Sequence, residues 1–409
     1  MNFLSSSYLL VCDDKFTIIE DGVIGFDETI KFIGSVKECK EKYPKANIEY
    51  LGDNSVLMPG LINPHIHLEF SANKTILNYG NFVKWLFSVI ENRESLIDDT
   101  ISNTIKNQLQ KLLNNGTTTI GAISSYGLDM QSCIDTPLNV VYFTEVLGSA
   151  ANMIDTLFAD FKAKLNEANK YKSSNFIPAV AIHSPYSTHP FLIREVLKIA
   201  KKGNYKVTAH FLESDAEKEW LENSKGEFEP FFNNLLNQTK SLTKPLDFLT
   251  QFEGLDNISF THCTKATKDE LKKIKELNGS IIHCPVSNRL LTNSALDLTN
   301  LNDINTALGT DGLSSNISLS SFDELRSALL IHTNYNLNSL ATKLLLFATN
   351  GGAKALGLDK GILKEGFDAD IISFKLPQKT KKENLAYSVI LHTNNIDKVF
   401  IKGKDEFIK

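Results

Sequence analysis

Two histidines two residues apart close an apolar run at residues 58–67, which ends His65-Ile66-His67. Side chains at positions i and i+2 of an extended strand point to the same face, so both imidazoles would face one point in space. Imidazole nitrogen is a common ligand of divalent transition metals. The segment therefore predicts one half of a metal site, and the rest of the chain must supply the other half.

Most of the remaining histidines follow the same rule. Seven of the nine lie at or just beyond the C-terminal ends of predicted strands: His65, His67, His183, His189, His210, His262 and His283. The last predicted strand runs into Asp311, in Gly309-Thr310-Asp311-Gly312. A catalytic metal site combines imidazole and carboxylate ligands with one open position for water. His65, His67, His210 and Asp311 provide such a set.

The elements that would position these residues alternate between apolar strands and helices. Eight runs are predicted as strands, at residues 56–61, 118–124, 140–146, 177–183, 206–213, 258–263, 280–284 and 306–310. Helical patterns such as 191–202 and 268–277 lie between them. This order predicts a parallel (β/α)8 barrel, in which the C-terminal strand ends converge on the active site.

Both ends of the chain have a different, β-rich character. Residues 16–24, 29–36, 369–374 and 399–401 are predicted as strands separated by turn residues. We therefore expect a small β-sandwich domain built from both termini, at residues 1–56 and 359–409, around a barrel at residues 57–358.

Composition excludes several classes of protein. The chain has 409 residues, 42% hydrophobic residues and a net charge of −5, so it offers no basic surface for nucleic acid. No apolar run is long enough to cross a bilayer, and no signal peptide is expected. Five widely spaced cysteines favour reduced thiols and a cytoplasmic location.

Taken together, the motifs resemble the amidohydrolase superfamily. The matching features are Pro59-Gly60 before His65-x-His67, His210-x-x-Glu213, His262, Gly309-Thr310-Asp311-Gly312 and the C-terminal Gly361-x5-Gly366-x-Asp368-Ala369-Asp370. The resemblance implies a distorted TIM barrel. Dinuclear members carry a carboxylated lysine on strand four, whereas this strand ends Ala181-Ile182-His183. The resemblance therefore implies one divalent ion, Zn²⁺ or Fe²⁺.

The same resemblance implies a hydrolytic deaminase of purine- or pyrimidine-like rings. The metal would lower the pKa of a bound water and so supply hydroxide at neutral pH. Asp311 would take the proton of this water, and His262 would hold the hydroxide. Glu213 would protonate the ring nitrogen beside the amino-bearing carbon and help ammonia to leave.

Residues that could contact substrate are less clearly marked. His183 and Trp85 resemble segments that contact the nucleoside in related deaminases, and Glu91 is a candidate reader of the ribose diol. Asn288 and Arg289 could meet an anionic end of the substrate, and Glu145 could line the same pocket. Residues 69–92 form the predicted lid, because long loops after barrel strands often cover the site. The predicted substrate residues are Trp85, Glu91, Glu145, His183, Asn288 and Arg289.

The segments 68–75 and 81–86 resemble most closely the aminodeoxyfutalosine deaminases of the futalosine route to menaquinone, which act on an adenine nucleoside analogue with a benzoate-bearing tail. Deaminases of adenosine, S-adenosylhomocysteine, methylthioadenosine or guanine remain alternatives. Two further alternatives are a chlorohydrolase-type enzyme and a non-catalytic scaffold with a structural metal. The sequence leaves open whether the chain acts as a monomer or a homodimer.

Overall fold

The computed structural model describes residues 1–72, 75–92, 101–301 and 303–407. Its strands are β1 Asn2–Leu10, β2 Ile18–Phe26, β3 Ile30–Ser35, β4 Ile48–Tyr50, β5 Ser55–Pro59, β6 Leu61–Ile66, β7 Thr117–Ser124, β8 Asn139–Val146, β9 Phe176–Ile182, β10 Val207–Phe211, β11 Ile258–His262, β12 Ser280–His283, β13 Thr306–Leu308, β14 Ile371–Lys375, β15 Lys398–Ile401 and β16 Lys404–Asp405. None of the helices in these residues is long and apolar enough to span a membrane.

The helices lie mainly between the strands of the barrel. They are α1 Val36–Lys42, α2 Phe82–Glu91, α3 Ile101–Asn114, α4 Met130–Asp135, α5 Ile154–Lys170, α6 Pro190–Gly203, α7 Asp215–Asn223, α8 Phe228–Leu236, α9 Pro245–Thr250, α10 Lys268–Glu276, α11 Pro285–Thr292, α12 Ser321–Ile331, α13 Leu337–Leu346, α14 Gly352–Ala355 and α15 Leu385–His392.

Strands β6 to β13 form one parallel sheet in sequence order, which confirms the predicted (β/α)8 barrel. The first and last strands meet where the sheet closes. The amide of Asp311 donates to the carbonyl of His65 at 3.0 Å, and the Asn63 side chain donates to Thr310 at 2.7 Å. Two of the predicted metal ligands are therefore joined by the bond that closes the barrel.

The two termini build one β-domain, as predicted. Its strands hydrogen-bond in the order β16-β15-β14-β5-β1-β2-β3, with β4 beside β1. Strand β14 pairs antiparallel with β5, so that Ile371 lies opposite Pro59. The C-terminal segment thereby completes a sheet that the N-terminal segment begins.

One prediction at the junction of the two domains is wrong. The run 56–61 is not a single barrel strand, because β5 belongs to the terminal sheet and the barrel sheet begins only at Leu61. Gly60 separates them. A Cβ at this position would lie 2.2 Å from Thr118, so only glycine allows the chain to pass so close to β7. The barrel sheet starts later than the predicted limit at residue 57, whereas the C-terminal limit at residue 358 stays a prediction.

A buried ion cluster links the β-domain to the base of the barrel. The Lys360 ammonium lies 2.5 Å from Asp368 and 2.6 Å from Asp370, and its side chain is 8% exposed. Asp370 also accepts a hydrogen bond of 2.9 Å from Asn139 at the start of β8. The Asp-x-Asp of the C-terminal motif thus contacts both parts of the fold.

Alternation along the barrel strands carries polar side chains to one end of the interior. In β8, Val141 and Phe143 lie in the interior apolar cluster, and Glu145 follows two residues later on the same face. Alanines from β9 occupy the same cluster, and Ala353 and Leu356 close the barrel at this end. This apolar cluster fills the base of the barrel, so the polar side chains that could react lie at the opposite end.

Candidate active site

The four predicted metal ligands converge at the C-terminal end of the barrel. His65, His67, His210 and Asp311 each present a ligand atom within 4.8 Å of the other three. Oδ1 of Asp311 lies 3.8 Å from Nε2 of His65 and 3.5 Å from Nε2 of His67. Strands β6 and β10 and the end of β13 supply these groups, so the site exists only in the folded barrel.

Hydrogen bonds outside the cluster orient two of its imidazole rings. His210 donates from Nδ1 to the carbonyl of His183 at 2.8 Å, so its Nε2 carries the lone pair. His65 shares a 3.1 Å hydrogen bond with Thr261 through Nδ1, which leaves its Nε2 facing the cluster. Burial and the neighbouring histidines lower the pKa of His210 to about 3 and that of His65 well below its ordinary value. Both rings are therefore neutral and able to bind a metal at pH 7.

The buried polar atoms of the cluster fit a cation. Nε2 of His65 is buried without a hydrogen-bond partner among the described residues. Nε2 of His67 lies 3.2 Å from Nε2 of His210, close enough for one cation to contact both nitrogens. Three imidazole nitrogens and one carboxylate oxygen match the ligand preferences of zinc and related divalent ions.

Asp311 is held as a carboxylate. Ser287 and Ser315 each donate a hydrogen bond of 2.8 Å to its Oδ2. Burial raises its pKa, but the neighbouring histidines, with Ser287, outweigh this effect and bring the pKa below the ordinary value. A fixed, ionised carboxylate can serve as a ligand and as a proton acceptor.

Several strand ends at the site adopt a left-handed backbone without glycine. Leu212, His262, Cys263 and Asp311 have φ of 45°, 73°, 52° and 61°. Strand alternation would turn His262 toward the helices, as it does Ile258 and Phe260, and the left-handed turn interrupts this pattern. Such conformations cost about 1–3 kcal/mol each and are concentrated at functional sites.

Glu213 lies on this end of the barrel beside His262, with 3.5 Å between its Oε1 and Nε2 of the ring. Its backbone is fixed by the buried Glu217 carboxylate, which accepts the amides of Leu212 at 3.1 Å and Glu213 at 2.7 Å. Ser214 caps α7 directly afterwards by accepting the amide of Glu217 at 3.1 Å. Burial, with Asp311 and Glu217 nearby, raises the pKa of Glu213 well above its ordinary value, which favours the protonated acid.

Asn288 has a different place from the predicted one. It is fully buried and accepts a hydrogen bond of 2.8 Å from Nδ1 of His262, while its amide donates to Nδ1 of His283 at 3.3 Å. It therefore orients His262 and does not line the cavity. Arg289 is the second residue predicted to meet an anionic end of the substrate. It is exposed and is also not among the described residues that line the cavity. The turn of helix α11 separates the two neighbours, because consecutive helical residues face different directions.

A cavity of about 490 Å³ opens above the cluster, within the size range of ligand pockets. Trp85, Glu145 and His183, all predicted to contact substrate, line it. Oε1 of Glu145 is buried without a partner among the described residues, and burial lowers the pKa of His183 to about 4. Glu91, the last residue of α2, is exposed and is not among the described residues that line the cavity, so its contact with substrate stays a prediction.

One residue that shapes the cavity escaped the sequence reasoning. Glu69 is buried, and its carboxylate accepts backbone amides of Ser125 at 2.8 Å, Tyr126 at 3.0 Å and Leu128 at 2.7 Å. It thereby fixes the loop after β7, from which Ser125 and Tyr126 line the cavity. The sequence signal that could have identified it is an acidic residue between two apolar ones, two positions after His67. Asn73 and Lys74, part of the segment used to choose the substrate, lie outside the described residues.

The chain has close relatives of known activity. It is 45% identical over 390 residues to the aminodeoxyfutalosine deaminase of a Nitratiruptor species, covering 95% of this chain and 96% of the relative. It is 38% identical over 408 residues to the adenosine deaminase of Helicobacter pylori, covering 98% of each.

Its structure matches the crystal structure of Helicobacter pylori aminofutalosine deaminase in complex with methylthio-coformycin. The TM-score is 0.95, with 36% identity and full coverage of both chains. The model of the Amidohydrolase family matches residues 56–405, nearly the whole chain. The chain belongs to the amidohydrolase family.

Proposed function

We propose that this protein hydrolytically removes the 6-amino group of a purine nucleoside, and that its physiological substrate is 6-amino-6-deoxyfutalosine, which it converts to futalosine on the route to menaquinone. The observation that carries the reaction type is the position of two buried acids, Glu213 and Asp311, on one cavity, where burial raises the pKa of Glu213 and the neighbouring histidines lower the pKa of Asp311. Two carboxyl groups with pKa values pushed apart provide the acid and the base that deamination needs.

Each acid has a defined proton to move. The Asp311 carboxylate accepts a proton from the attacking water and later passes it to the departing amino group. Glu213 donates its proton to the ring nitrogen beside the amino-bearing carbon, which makes this carbon electrophilic without a free anion. As the carbonyl forms, the proton of the new hydroxyl group returns to Glu213. The products are ammonia and a 6-oxopurine, and both acids regain their starting states.

His262 and the metal ligands prepare the water for this step. Because Asn288 accepts the Nδ1 proton of His262, Nε2 presents a lone pair that can accept a hydrogen bond from the attacking water. His65, His67, His210 and Asp311 would hold one divalent ion, and we propose Zn²⁺ or Fe²⁺. Such an ion, when bound, lowers the pKa of a water ligand and so supplies hydroxide near neutral pH.

The choice of substrate is supported by the relatives and by the cavity. The aminodeoxyfutalosine deaminase is the relative with 45% identity, and the matched aminofutalosine deaminase was crystallised in complex with methylthio-coformycin. Trp85, Glu145 and His183 are proposed as substrate contacts on the cavity wall. We also propose a cytoplasmic location, supported by five cysteines that are all free and buried.

The test is turnover of a panel of aminopurine compounds by the purified enzyme, followed by ammonia release and the ultraviolet change. The panel contains aminodeoxyfutalosine, adenosine, methylthioadenosine, S-adenosylhomocysteine and guanine, with a chlorotriazine as a halide-releasing control. We expect the highest kcat/KM for aminodeoxyfutalosine. Fast turnover of adenosine with none of aminodeoxyfutalosine would reverse the assignment, and release of chloride without ammonia would exclude a deaminase.

A further inference from the structure

Four buried polar side chains form a hydrogen-bonded chain that leads away from the cavity. Nδ1 of His262 donates to Oδ1 of Asn288 at 2.8 Å, and Nδ2 of Asn288 donates to Nδ1 of His283 at 3.3 Å. Nε2 of His283 lies 2.9 Å from Nε2 of His332. We call these four residues the imidazole chain. The deamination steps use His262 and Asn288, whereas they leave His283 and His332 without a role.

The fold directs His283 away from the barrel interior. Ile282 lies in a small apolar cluster inside the barrel, whereas Ile281 belongs to the large cluster between the strands and the helices. Alternation along β12 places His283 on the same face as Ile281. There it meets His332, the residue that caps the C-terminal end of α12. The imidazole chain therefore connects two barrel strands through two helices.

Hydrogen bonding gives the imidazole chain a direction. An amide oxygen only accepts and an amide nitrogen only donates, while a neutral imidazole has one donor and one acceptor nitrogen. Burial lowers the pKa of His283 well below its ordinary value and also lowers that of His332, so both rings are neutral at pH 7. Because Asn288 donates to Nδ1 of His283, the proton of this ring lies on Nε2. From there it is donated to Nε2 of His332.

The reverse direction would also satisfy every bond of the chain. In that arrangement, His332 donates to His283, the amide of Asn288 is turned over, and its nitrogen donates to Nδ1 of His262. The proton of His262 would then lie on Nε2, which is buried without a hydrogen-bond partner among the described residues. With this proton in place, Nε2 could not accept a hydrogen bond from the attacking water. The direction of the chain thus decides whether His262 can act.

The far end of the chain stabilises one of these two directions. The two ends of an amide have nearly the same shape, so Asn288 alone could turn over together with the proton of His262. The proton on Nε2 of His283 leaves only a lone pair on Nδ1, and this lone pair accepts the amide nitrogen and not the amide oxygen. His332 holds that proton in place as its acceptor. Reversal therefore requires all four groups to change together, and buried hydrogen bonds in series strengthen one another.

We propose that His283 and His332 are positioning residues for the deamination, which hold the amide of Asn288 in the orientation that keeps the proton of His262 on Nδ1. This inference rests on the proposed function, in which Nε2 of His262 accepts a hydrogen bond from the attacking water. Neither His283 nor His332 is among the described residues that line the cavity. Both therefore act on the water only through His262.

Nuclear magnetic resonance of the ring nitrogens tests the direction of the chain. The enzyme contains isotope-labelled histidine and added Zn²⁺, without substrate, and each ring is assigned from the signal that is missing in a single histidine variant. Protonated and unprotonated ring nitrogens differ clearly in chemical shift. We expect His262 and His332 to be protonated on Nδ1 and His283 on Nε2. A proton on Nδ1 of His283, or on Nε2 of His262, would overturn the proposal.

The variant His332→Met tests the far end of the chain, because it removes the acceptor and keeps an apolar side chain there. We expect a mixture of tautomers at His262 and a kcat about three- to tenfold lower with KM unchanged, the effect of one lost hydrogen bond. His332→Gln should restore both, since its amide oxygen can accept the proton of His283. His392→Gln, at an exposed histidine that ends α15, is the matched control and should behave like the wild type.

The two measurements separate this inference from the proposed function. A His262 tautomer that changes in His332→Met and returns in His332→Gln supports the chain even if no nucleoside is deaminated, an outcome that would refute only the proposed function. An unchanged His262 tautomer in His332→Met would overturn the inference, as would equal losses of kcat in His332→Met and His332→Gln. The wild-type spectrum decides the direction of the chain even if His332→Met does not fold.

Discussion

The replacement Glu213→Gln tests the central assignment, because it keeps the size of the side chain and removes its acidic proton. Glu213 is 6% exposed and lies outside the proposed ligand set, so the variant should fold and retain the metal. General acid catalysis contributes about 10²–10⁴-fold, so kcat should fall by at least about 10². This fall corresponds to an increase of about 2.7 kcal/mol or more in the barrier of the chemical step.

The pH dependence supplies a second measurement. Burial raises the pKa of Glu213 well above its ordinary value, so the active enzyme carries the proton and activity falls as pH rises through this pKa. The raised pKa also means that the folded state binds a proton that the unfolded state has lost. The stability from this group is present below the unfolded pKa and disappears as pH rises through the folded one. In the Glu213→Gln variant, the fall in activity and the loss of stability that this group causes as pH rises are both absent.

The assay combines steady-state kinetics from about pH 5 to 10 with metal content by plasma mass spectrometry and thermal unfolding. Glu219→Gln, an exposed position in helix α7, which begins two residues after Glu213, is the matched control and should behave like the wild type. A Glu213→Gln enzyme with full metal content and near-normal kcat would remove Glu213 from the mechanism. Loss of metal together with activity would show instead that the acid supports the ligand set.

Three further predictions concern other parts of the molecule. Chelation should abolish turnover and added Zn²⁺ or Fe²⁺ should restore it, and full activity in a metal-free preparation would contradict the proposed cofactor. Asn288→Ala removes the hydrogen bond that orients His262, so kcat should fall about tenfold with little change in KM, and a change confined to KM would indicate substrate contact instead. Lys360→Met removes the counter-ion of the buried Asp370 and of the partly exposed Asp368, so chemical denaturation should show a loss of about 3–5 kcal/mol with kcat per folded enzyme unchanged, and wild-type stability would show that the cluster is dispensable.

The convergence of the metal-binding groups could be predicted from sequence because parallel strands share one direction. Once His65, His210 and Asp311 are assigned to strand ends, barrel closure must bring them together. The roles of Glu91 and Arg289 could not be predicted in the same way. Both lie on helices, where a shift of one residue changes the direction of a side chain by about 100°. Sequence patterns fix such directions less firmly than they fix strand alternation.

Contacts between residues on elements that are distant in the sequence were also not predicted. Asn288 was predicted to meet substrate because it follows a strand of the barrel, but its hydrogen bond to His262 depends on the packing of α11 against β11. The contact between α2 and α8 is another example, with the ring centroids of Phe87 and Phe231 5.4 Å apart. The aromatic residues of α8 have an ordinary amphipathic pattern, and nothing local in the sequence shows that α2 lies opposite.

The pairing of β5 with β14 has a consequence for the order of events during synthesis. Pro59 and Ile371 are opposite one another but 312 positions apart in the chain. At about 5–20 residues per second, roughly 15 to 60 s pass between the appearance of the two strands. Throughout this interval, one edge of β5 has no partner strand, and it is a template for pairing with other chains. We therefore expect nascent chains to depend on protection of this edge until β14 emerges.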